Sequence, residues 1–333
     1  MTAPDLPAEL KAALDARLQG LSRNAAASRA ALISKTYRDG GGSGAIASEA
    51  DALAYALARM PATYAAVAAS LNAFREIRPD FAPNSLLDVG AGPGTATWAA
   101  AETFSSLQTF NLVDANRALR ALALDLSRGS ARLREINYRH GEARAALADT
   151  GVADLVVASY MIGEISDAEQ TALADLMWTK TSGTLLIVEP GTPAGYRRII
   201  ALRQQLIGSG AHIAAPCPHD GSCPLTAPDW CHFAQRLPRS RAHRQLKSAE
   251  LPYEDEKFSY VALTRAPAAR HPARVLAQPV VTKVEISAKL CTPDGLAIAK
   301  MSRRAKEPYA RARRWRWGDA VVTPGRPGER GDP

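Results

Sequence analysis

The spacing of apolar residues along the chain changes near residue 80. Before that point, PAELKAALDARLQGL and EADALAYALARMPATYAAVAASLNAF place apolar side chains at helical spacing, with a break expected at Pro61. The sequence GGGSG at 40–44 separates these two segments and is typical of a flexible connector. Residues 1–80 are therefore predicted to form an N-terminal helical region.

Beyond residue 80, short apolar runs alternate with longer stretches of helical pattern. The runs are SLLDVG (85–90), TFNLVDA (109–115), ADLVVASY (153–160) and GTLLIVEPG (183–191). This alternation is typical of a parallel sheet with helices on both faces. We therefore predict an α/β fold with a Rossmann-like, doubly wound sheet, built from residues 81–210 and 256–292.

The pattern becomes irregular between 211 and 255, where cysteines and prolines are followed by basic residues. This segment is predicted to be an insertion folded around a metal, without regular sheet or helix. The strand pattern returns at 256–265 and 280–292, and PDG at 293–295 predicts a hairpin. That hairpin leads into a basic arm over 293–318. Residues 319–333, rich in Gly, Pro and Arg, are predicted to be a disordered tail.

Composition excludes several classes of protein. With 333 residues and 47% hydrophobic content, the chain can bury an α/β domain and a smaller unit. It has no run of apolar residues long enough to span a membrane. The first residues carry acids and lack a basic head before an apolar run, so we expect neither a secretory signal nor a transit peptide. We therefore expect a cytoplasmic protein that is a monomer when no partner is bound.

The net charge of +8 is concentrated in the chain. Between 297 and 317 lie eight basic residues and one acid, and a second basic stretch runs from Arg236 to Lys247. Guanidinium groups pair with phosphates, and the interleaved Tyr309, Trp315 and Trp317 could stack on unpaired bases or instead cover a sheet edge. This pattern predicts an RNA partner. The candidate RNA-binding residues are Lys300, Arg303, Arg304, Arg311, Arg313, Arg314 and Arg316.

A glycine-rich turn follows the first predicted strand. Gly90, Gly92 and Gly94 let the backbone approach a ligand closely, and their spacing differs from the dinucleotide fingerprint. Asp88, which precedes them, suits a cationic cofactor better than a pyrophosphate. Asp114 ends the next strand, where a carboxylate can accept hydrogen bonds from ribose hydroxyls. A nucleoside cofactor is predicted here.

Catalytic residues are less clearly indicated. Tyr160 and Glu164, in ASYMIGEI after the fourth strand, are the candidates near the edge where substrates lie. Two motifs of enzymes that modify nucleic-acid bases are absent from the sequence: an Asn/Asp-Pro-Pro-aromatic motif and a strand-end cysteine for attack on a pyrimidine. Binding of the cofactor without catalysis therefore stays open.

The four cysteines form the other candidate site. Cys217, Cys223 and Cys231 are separated by five and seven residues, and Cys291 lies sixty residues further on. These gaps exceed those of zinc ribbons and fingers and favour a larger object such as a four-iron cluster. His219 and His232 leave zinc as the alternative.

Residues 60–265 resemble the class I methyltransferases. That resemblance implies S-adenosylmethionine as the cofactor, with Asp88 and the three glycines around its methionine portion and Asp114 on its ribose. It also places Glu142, in RHGEA, near the adenine.

A more specific resemblance covers residues 50–318. CPHDGSCPL, WCHFAQRLPRS, SLLDVGAGPGTATWAA, RMPATYAAV, VEPGTPAGYRRI and EDEKFSY are similar to the methyltransferase-like proteins associated with the small ribosomal subunit, known from mitochondria and bacteria. The resemblance implies a [4Fe–4S] cluster on Cys217, Cys223, Cys231 and Cys291. It also implies binding to 16S-type ribosomal RNA during small-subunit assembly. Two functions follow as hypotheses: an RNA methyltransferase, or an assembly chaperone that retains the donor pocket.

Overall fold

The computed structural model describes residues 5–18, 22–239, 243–244, 250–268 and 273–322. The N-terminal region is helical as predicted, with α1 (Ala8–Leu18), α2 (Arg23–Arg38) and α3 (Glu49–Ile77). Helix α3 begins at Ser48 with a capping box to Asp51 and continues through Pro61, so the predicted break is wrong. Most of α3 is buried, and this packing compensates for the backbone hydrogen bond that a proline removes.

The main sheet has the predicted α/β architecture. Its strands lie in the order β3-β2-β1-β4-β5-β8-β6, and β7 also pairs with β8. The strands from β3 to β5 are parallel to one another, and β8 is antiparallel to β5. The bounds are β1 (Ser85–Val89), β2 (Thr109–Asp114), β3 (Asn137–His140), β4 (Ala153–Ser159), β5 (Thr181–Pro190), β6 (His212–Ala215), β7 (Phe233–Pro238) and β8 (Tyr253–Thr264).

Helices cover both faces of this sheet. Adjacent residues of β1 point to opposite sides, so Leu86 packs in the core beneath α3 and α4, and Leu87 packs in the core beneath α7 and α8. Within the described ranges, no helix has the length and apolar character needed to cross a membrane. The helices between the strands are α4 (Thr95–Thr103), α5 (Arg117–Ser127), α6 (Ala143–Ala148), α7 (Asp167–Thr179) and α8 (Pro193–Gly208).

Residues 211–255 are more regular than predicted. Strands β6 and β7 both pair antiparallel with β8 and therefore extend the main sheet. The cysteine-containing loop between them, 216–232, lacks strand and helix. The prediction of an irregular insertion is wrong for β6 and β7, because a four-residue and a six-residue strand beside prolines carry too little pattern to recognise.

A second, smaller sheet follows β8. Its order is β10-β11-β9-β13, with β12 paired to β11. The 280–292 segment belongs to this sheet, so its assignment to the main sheet is wrong, while the hairpin is confirmed by the pairing of Thr292 with Gly295. Residues 320–321 form a strand where a tail was predicted, and 323–333 lie outside the described residues. The elements are β9 (Ala273–Val275), β10 (Val280–Val281), β11 (Glu285–Thr292), β12 (Gly295–Ser302), α9 (Lys306–Ala312) and β13 (Ala320–Val321).

Candidate functional site

The glycine turn lies at the carboxyl edge of the main sheet, between β1 and α4. Gly90, Gly92 and Gly94 have φ values of +67°, +52° and +80°, which only glycine adopts without strain. A Cβ on Gly90 would stand 2.7 Å from the side chain of Met161. The sequence therefore needs glycine here for its backbone conformation and for close packing against the end of β4.

Asp88 is fully buried beneath this turn. Its Oδ2 accepts hydrogen bonds from the backbone N–H of Thr97 at 3.0 Å and from the Thr97 hydroxyl at 2.7 Å. Its Oδ1 has no hydrogen-bond partner in the described part of the chain. Burial raises the pKa of Asp88 to about 7. A buried carboxylate with one free oxygen favours a cationic ligand.

Asp114 ends β2 beside the same turn. Its two oxygens accept the backbone N–H groups of Gly92 at 2.9 Å and Asn116 at 2.6 Å. Each oxygen keeps a second lone pair for a hydroxyl. Burial raises the pKa of Asp114, and the negative charge of Glu142 contributes to this rise. Glu142 is exposed at the start of α6, so the structure brings it to the edge where Asp114 lies.

Residues 40–46, which we call the strap, cross this edge. The Ser43 backbone N–H donates to Glu164 Oε2 at 2.8 Å. The Asn116 side chain donates to the carbonyl oxygens of Ser43 and Ile46, both at 2.9 Å. The sequence predicted a flexible connector, but in the structure the strap is clasped by side chains from the loops after β2 and β4.

The two catalytic candidates both make structural contacts. Tyr160 has φ +58° and donates its hydroxyl to Glu256 Oε1 at 2.8 Å. Glu256 also accepts from Arg59 at 3.2 Å. Burial raises the pKa of Tyr160 well above its usual value, so the phenol stays protonated. Tyr160 and Glu164 lie at the carboxyl edge, where Glu164 accepts a hydrogen bond from the strap. A catalytic role for either residue stays a prediction.

The four cysteines line one cavity between the main and second sheets. Cys217, Cys223 and Cys231 come from the loop between β6 and β7, and Cys291 comes from β11. Burial raises the pKa of Cys217 and Cys231, and raises that of Cys291 to about 12. Among the residues the structure describes, no three His, Cys, Asp or Glu side chains meet around a single ion position.

Two fully buried arginines line the same cavity. Arg203 on α8 donates Nη2 to two carbonyl oxygens of the 217–223 loop, and its Nε and Nη1 have no partner among the described residues. Arg274 on β9 donates to the carbonyl oxygens of Pro216 and Gly318, and its Nη2 has no such partner. No carboxylate is among the described side chains that line the cavity. The two cations therefore face sulfur atoms.

Of the two histidines considered as ligands, one lies at the cavity. His219 Nε2 is 3.6 Å from Cys291 Sγ, and burial lowers the pKa of His219, so its imidazole is neutral. His232 instead stacks on Trp230 and meets the edge of Trp317. A further neighbour is Tyr196, whose hydroxyl is 3.2 Å from Cys223 Sγ.

The two basic segments differ in the structure. Arg236 in β7 pairs with Asp255, and Arg239 just after β7 pairs with Glu254, both acids lying on the adjacent strand β8. These two arginines of the second basic stretch therefore have acidic partners within the protein. In the basic arm, none of the eight cations makes an ion pair with any residue the structure describes.

The aromatic residues of the arm differ in how they pack. Trp315 packs into the core of the second sheet, and Trp317 packs against the main core. Both therefore have the covering role that the sequence left as an alternative. Tyr309 is half-buried beside exposed cations. The sequence missed Arg203 and Arg274 because an isolated arginine in a helix or strand gives no signal of burial.

The strand order of the main sheet and the residues at its carboxyl edge define the class of fold. Five parallel strands in the order β3-β2-β1-β4-β5, an antiparallel neighbour, a glycine turn after β1 and an acid at the end of β2 make up a Rossmann-like methyltransferase fold with a mixed sheet. A family model described as mitochondrial small ribosomal subunit Rsm22 matches residues 49–322. The chain belongs to this family.

Two relatives extend the comparison. The human mitochondrial ribosome assembly protein METTL17 is 31% identical over 292 residues, which cover 82% of this chain and 63% of the relative. The fission yeast (Schizosaccharomyces pombe) Rsm22-cox11 tandem protein 2, mitochondrial, is 27% identical over 243 residues, covering 64% of this chain and 32% of the relative. The chain thus spans less than two thirds of the length of either protein.

Solved structures with a similar fold include two methyltransferases. The magnesium protoporphyrin IX methyltransferase of Synechocystis, with bound S-adenosylmethionine, has 13% identity and a TM-score of 0.39 over 70% of this chain and 90% of its own. The precorrin-6y methyltransferase of Geobacter metallireducens has 11% identity and a TM-score of 0.40 over 60% and 86%. Because both TM-scores are low, the fold is assigned from the strand order of the main sheet and not from these structures.

Proposed function

We propose that this protein binds S-adenosylmethionine at the carboxyl edge, holds a [4Fe–4S] cluster in the cysteine cavity, and acts on the small ribosomal subunit through its basic arm. Membership of the Rsm22 family and the naming of the human relative as a mitochondrial ribosome assembly protein support the ribosomal part. The observation that carries the proposal is the convergence on one cavity of four thiols and two buried guanidinium groups, each of which has nitrogen atoms without a hydrogen-bond partner among the described residues.

The carboxyl edge fits a positively charged nucleoside. Asp88 offers a free carboxylate oxygen in a buried position, and Asp114 offers lone pairs at the end of β2. When bound, S-adenosylmethionine supplies an electrophilic methyl group. Asp88 would orient its ammonium group and Asp114 its ribose hydroxyls, while the strap would exclude water from the edge. Glu142 would face the adenine side.

The cysteine cavity fits a metal–thiolate centre. Burying an isolated guanidinium group destabilises a fold by roughly several kcal/mol unless an opposite charge lies close to it. An iron–sulfur core held by four thiolates is an anion overall, as is zinc held by four thiolates, so either would compensate for Arg203 and Arg274. The long gaps between the cysteines favour the cluster, and zinc is the alternative. The cluster would join the loop after β6 to β11 and thereby fix the basic arm beside the main sheet.

The arm fits ribosomal RNA because none of its eight cations makes an ion pair with a residue in the described part of the chain. Exposed guanidinium groups are available to phosphates, and binding through them weakens steeply as salt rises. A cytoplasmic site of action stays an expectation, since the names of the two relatives place those proteins in mitochondria.

A second function is an assembly factor that binds the donor without transferring a methyl group. The contacts of Tyr160 and Glu164 favour it, since both candidates for catalysis are engaged by Glu256 and the strap. The discriminating experiment compares methylation of small-subunit ribosomal RNA in a deletion strain and in wild type. A lost modification that purified protein restores supports the enzyme, and unchanged modification with incomplete small subunits supports the assembly factor.

Anaerobic purification tests the metal part. We expect a brown protein that contains iron and acid-labile sulfide in equal amounts, about four of each per chain. One zinc ion per chain without sulfide would instead support the alternative, a zinc site. Absence of any metal after anaerobic purification would remove the cavity's proposed role.

A further inference from the structure

The basic arm contains a defined pocket on the surface of the second sheet. Its volume is about 440 Å³, and it lies between β10, the end of β12 and α9. Three of the lining side chains are cationic and one is aromatic. The lining residues are Val281, Arg303, Lys306, Tyr309 and Arg313.

The aromatic side of this pocket is fixed by packing. Tyr309 packs against the small core formed by Ile286, Met301 and Ala312, and it is half-buried. Its phenol ring is therefore held in place before any ligand arrives. A preorganised ring loses little conformational entropy when a planar group stacks on it.

The cationic sides of the pocket are available. Arg303, Lys306 and Arg313 are exposed, and none makes an ion pair with a described residue. Arg313 caps the C-terminus of α9 in helical backbone conformation, four residues after Tyr309, so the two side chains lie on the same side of the helix. Glu307, the one acid of this helix, is not among the side chains that line the pocket.

We propose that this pocket binds one nucleotide of single-stranded RNA. Arg303, Lys306 and Arg313 hold the phosphates, and the unpaired base stacks on Tyr309 beside Val281. A base in a duplex is already stacked and paired, so it cannot occupy this position. The inference rests on the proposed RNA binding and adds to it a preference for an unpaired segment, with a defined set of contacts.

The test uses the full chain and two fluorescent RNA probes with equal numbers of phosphates, one single-stranded and one duplex. The pocket pair R303A/R313A is compared with the control pair R311A/R314A, which removes the same charge from exposed positions outside the pocket. Y309L removes the ring and keeps an apolar side chain, and Y309F keeps the ring. Thermal unfolding and circular dichroism confirm that each variant is folded.

We expect Y309L to weaken single-strand binding about ten-fold, Y309F to bind like wild type, and neither to change duplex binding. The pocket pair should weaken single-strand binding more than the control pair does. Equal losses from both pairs with no effect of Y309L would overturn the pocket while leaving RNA binding intact. No loss from either pair would contradict the RNA-binding arm itself.

Discussion

The carboxyl edge and the cysteine cavity are buried sites of opposite charge. The edge presents Asp88 and Asp114 around a glycine turn, and burial raises the pKa of both carboxyl groups. The cavity presents Arg203 and Arg274, and no carboxylate is among the described side chains that line it. Each site therefore favours the ligand charge that the other disfavours: a cationic donor at the edge and an anionic metal–thiolate centre in the cavity.

The comparison shows how the chain separates two functions within one fold. At the edge, backbone N–H groups of Gly92 and Thr97 already hold the carboxylates of Asp114 and Asp88, so ligand removal should affect binding and little else. The cavity is lined on one side by α8 and the loop after β6, which adjoin the main sheet. On the other side it is lined by β9 and β11 of the second sheet. Loss of the centre should therefore disturb the docking of the second sheet. The predictions below test this contrast, beginning with the largest effect.

Replacing Cys291 with serine should have the largest effect. The variant loses one of four ligands and leaves two buried guanidiniums without compensation, so metal content and thermal stability should fall together. Metal analysis and hydrogen exchange over residues 273–322 measure both. Ser287→Ala, on the same strand, is the control and should keep the metal. A C291S protein with full metal content and normal exchange would contradict the role of this cysteine.

Replacing Arg203 with methionine should change stability in opposite directions with and without metal. In the metal-loaded protein, the variant removes a compensating charge and should destabilise by about 3 kcal/mol. In the metal-stripped protein, it removes an uncompensated buried cation and should stabilise. Arg197→Met, exposed on the same helix, is the control for charge and should do neither. The same sign in both states, measured by denaturant unfolding, would show that Arg203 does not act through the centre.

At the edge, Asp114→Asn should weaken binding of S-adenosylmethionine without loss of fold. A charged hydrogen bond is worth about 1.5–3 kcal/mol, which corresponds to a reduction of roughly ten-fold to a hundred-fold in affinity. Isothermal titration measures it, and Glu102→Gln, an exposed acid on α4, is the control with the same change of charge. Equal affinity in Asp114→Asn and wild type would refute the ribose assignment.

The smallest expected effect is a pH dependence of donor binding. Burial raises the pKa of Asp88 to about 7, so the free protein loses stability as pH rises from about 4, where the unfolded chain releases this proton, to about 7. A cation favours the ionised carboxylate, so donor affinity should rise as the pH approaches about 7 and level off above it. The thermal shift caused by the donor measures this rise. Asp88→Asn should abolish the rise, and a rise that persists in that variant would point to another group.

The fold was predictable to a large extent because its signals are local. The strands β1, β2, β4 and β5 are continuous apolar runs, and the helices between them have their own apolar periodicity. The predictions failed where pairing joins distant segments. Strands β6 and β7 are short and gain their partners only from β8, and β11 joins a second sheet through β9 and β12.

The sequence by itself determined the residue types at both sites: the glycines and acids of the edge, and the spacing of the four cysteines. It also determined where positive charge accumulates. Only the tertiary structure decided which charges remain available. Arg236 and Arg239 form ion pairs with acids of β8, whereas the cations of the arm form none with the residues described. Likewise, Arg203 and Arg274 become counter-charges only because folding removes them from water and places them against sulfur. Charge pairing and desolvation depend on distance in space, and sequence separation does not encode that distance.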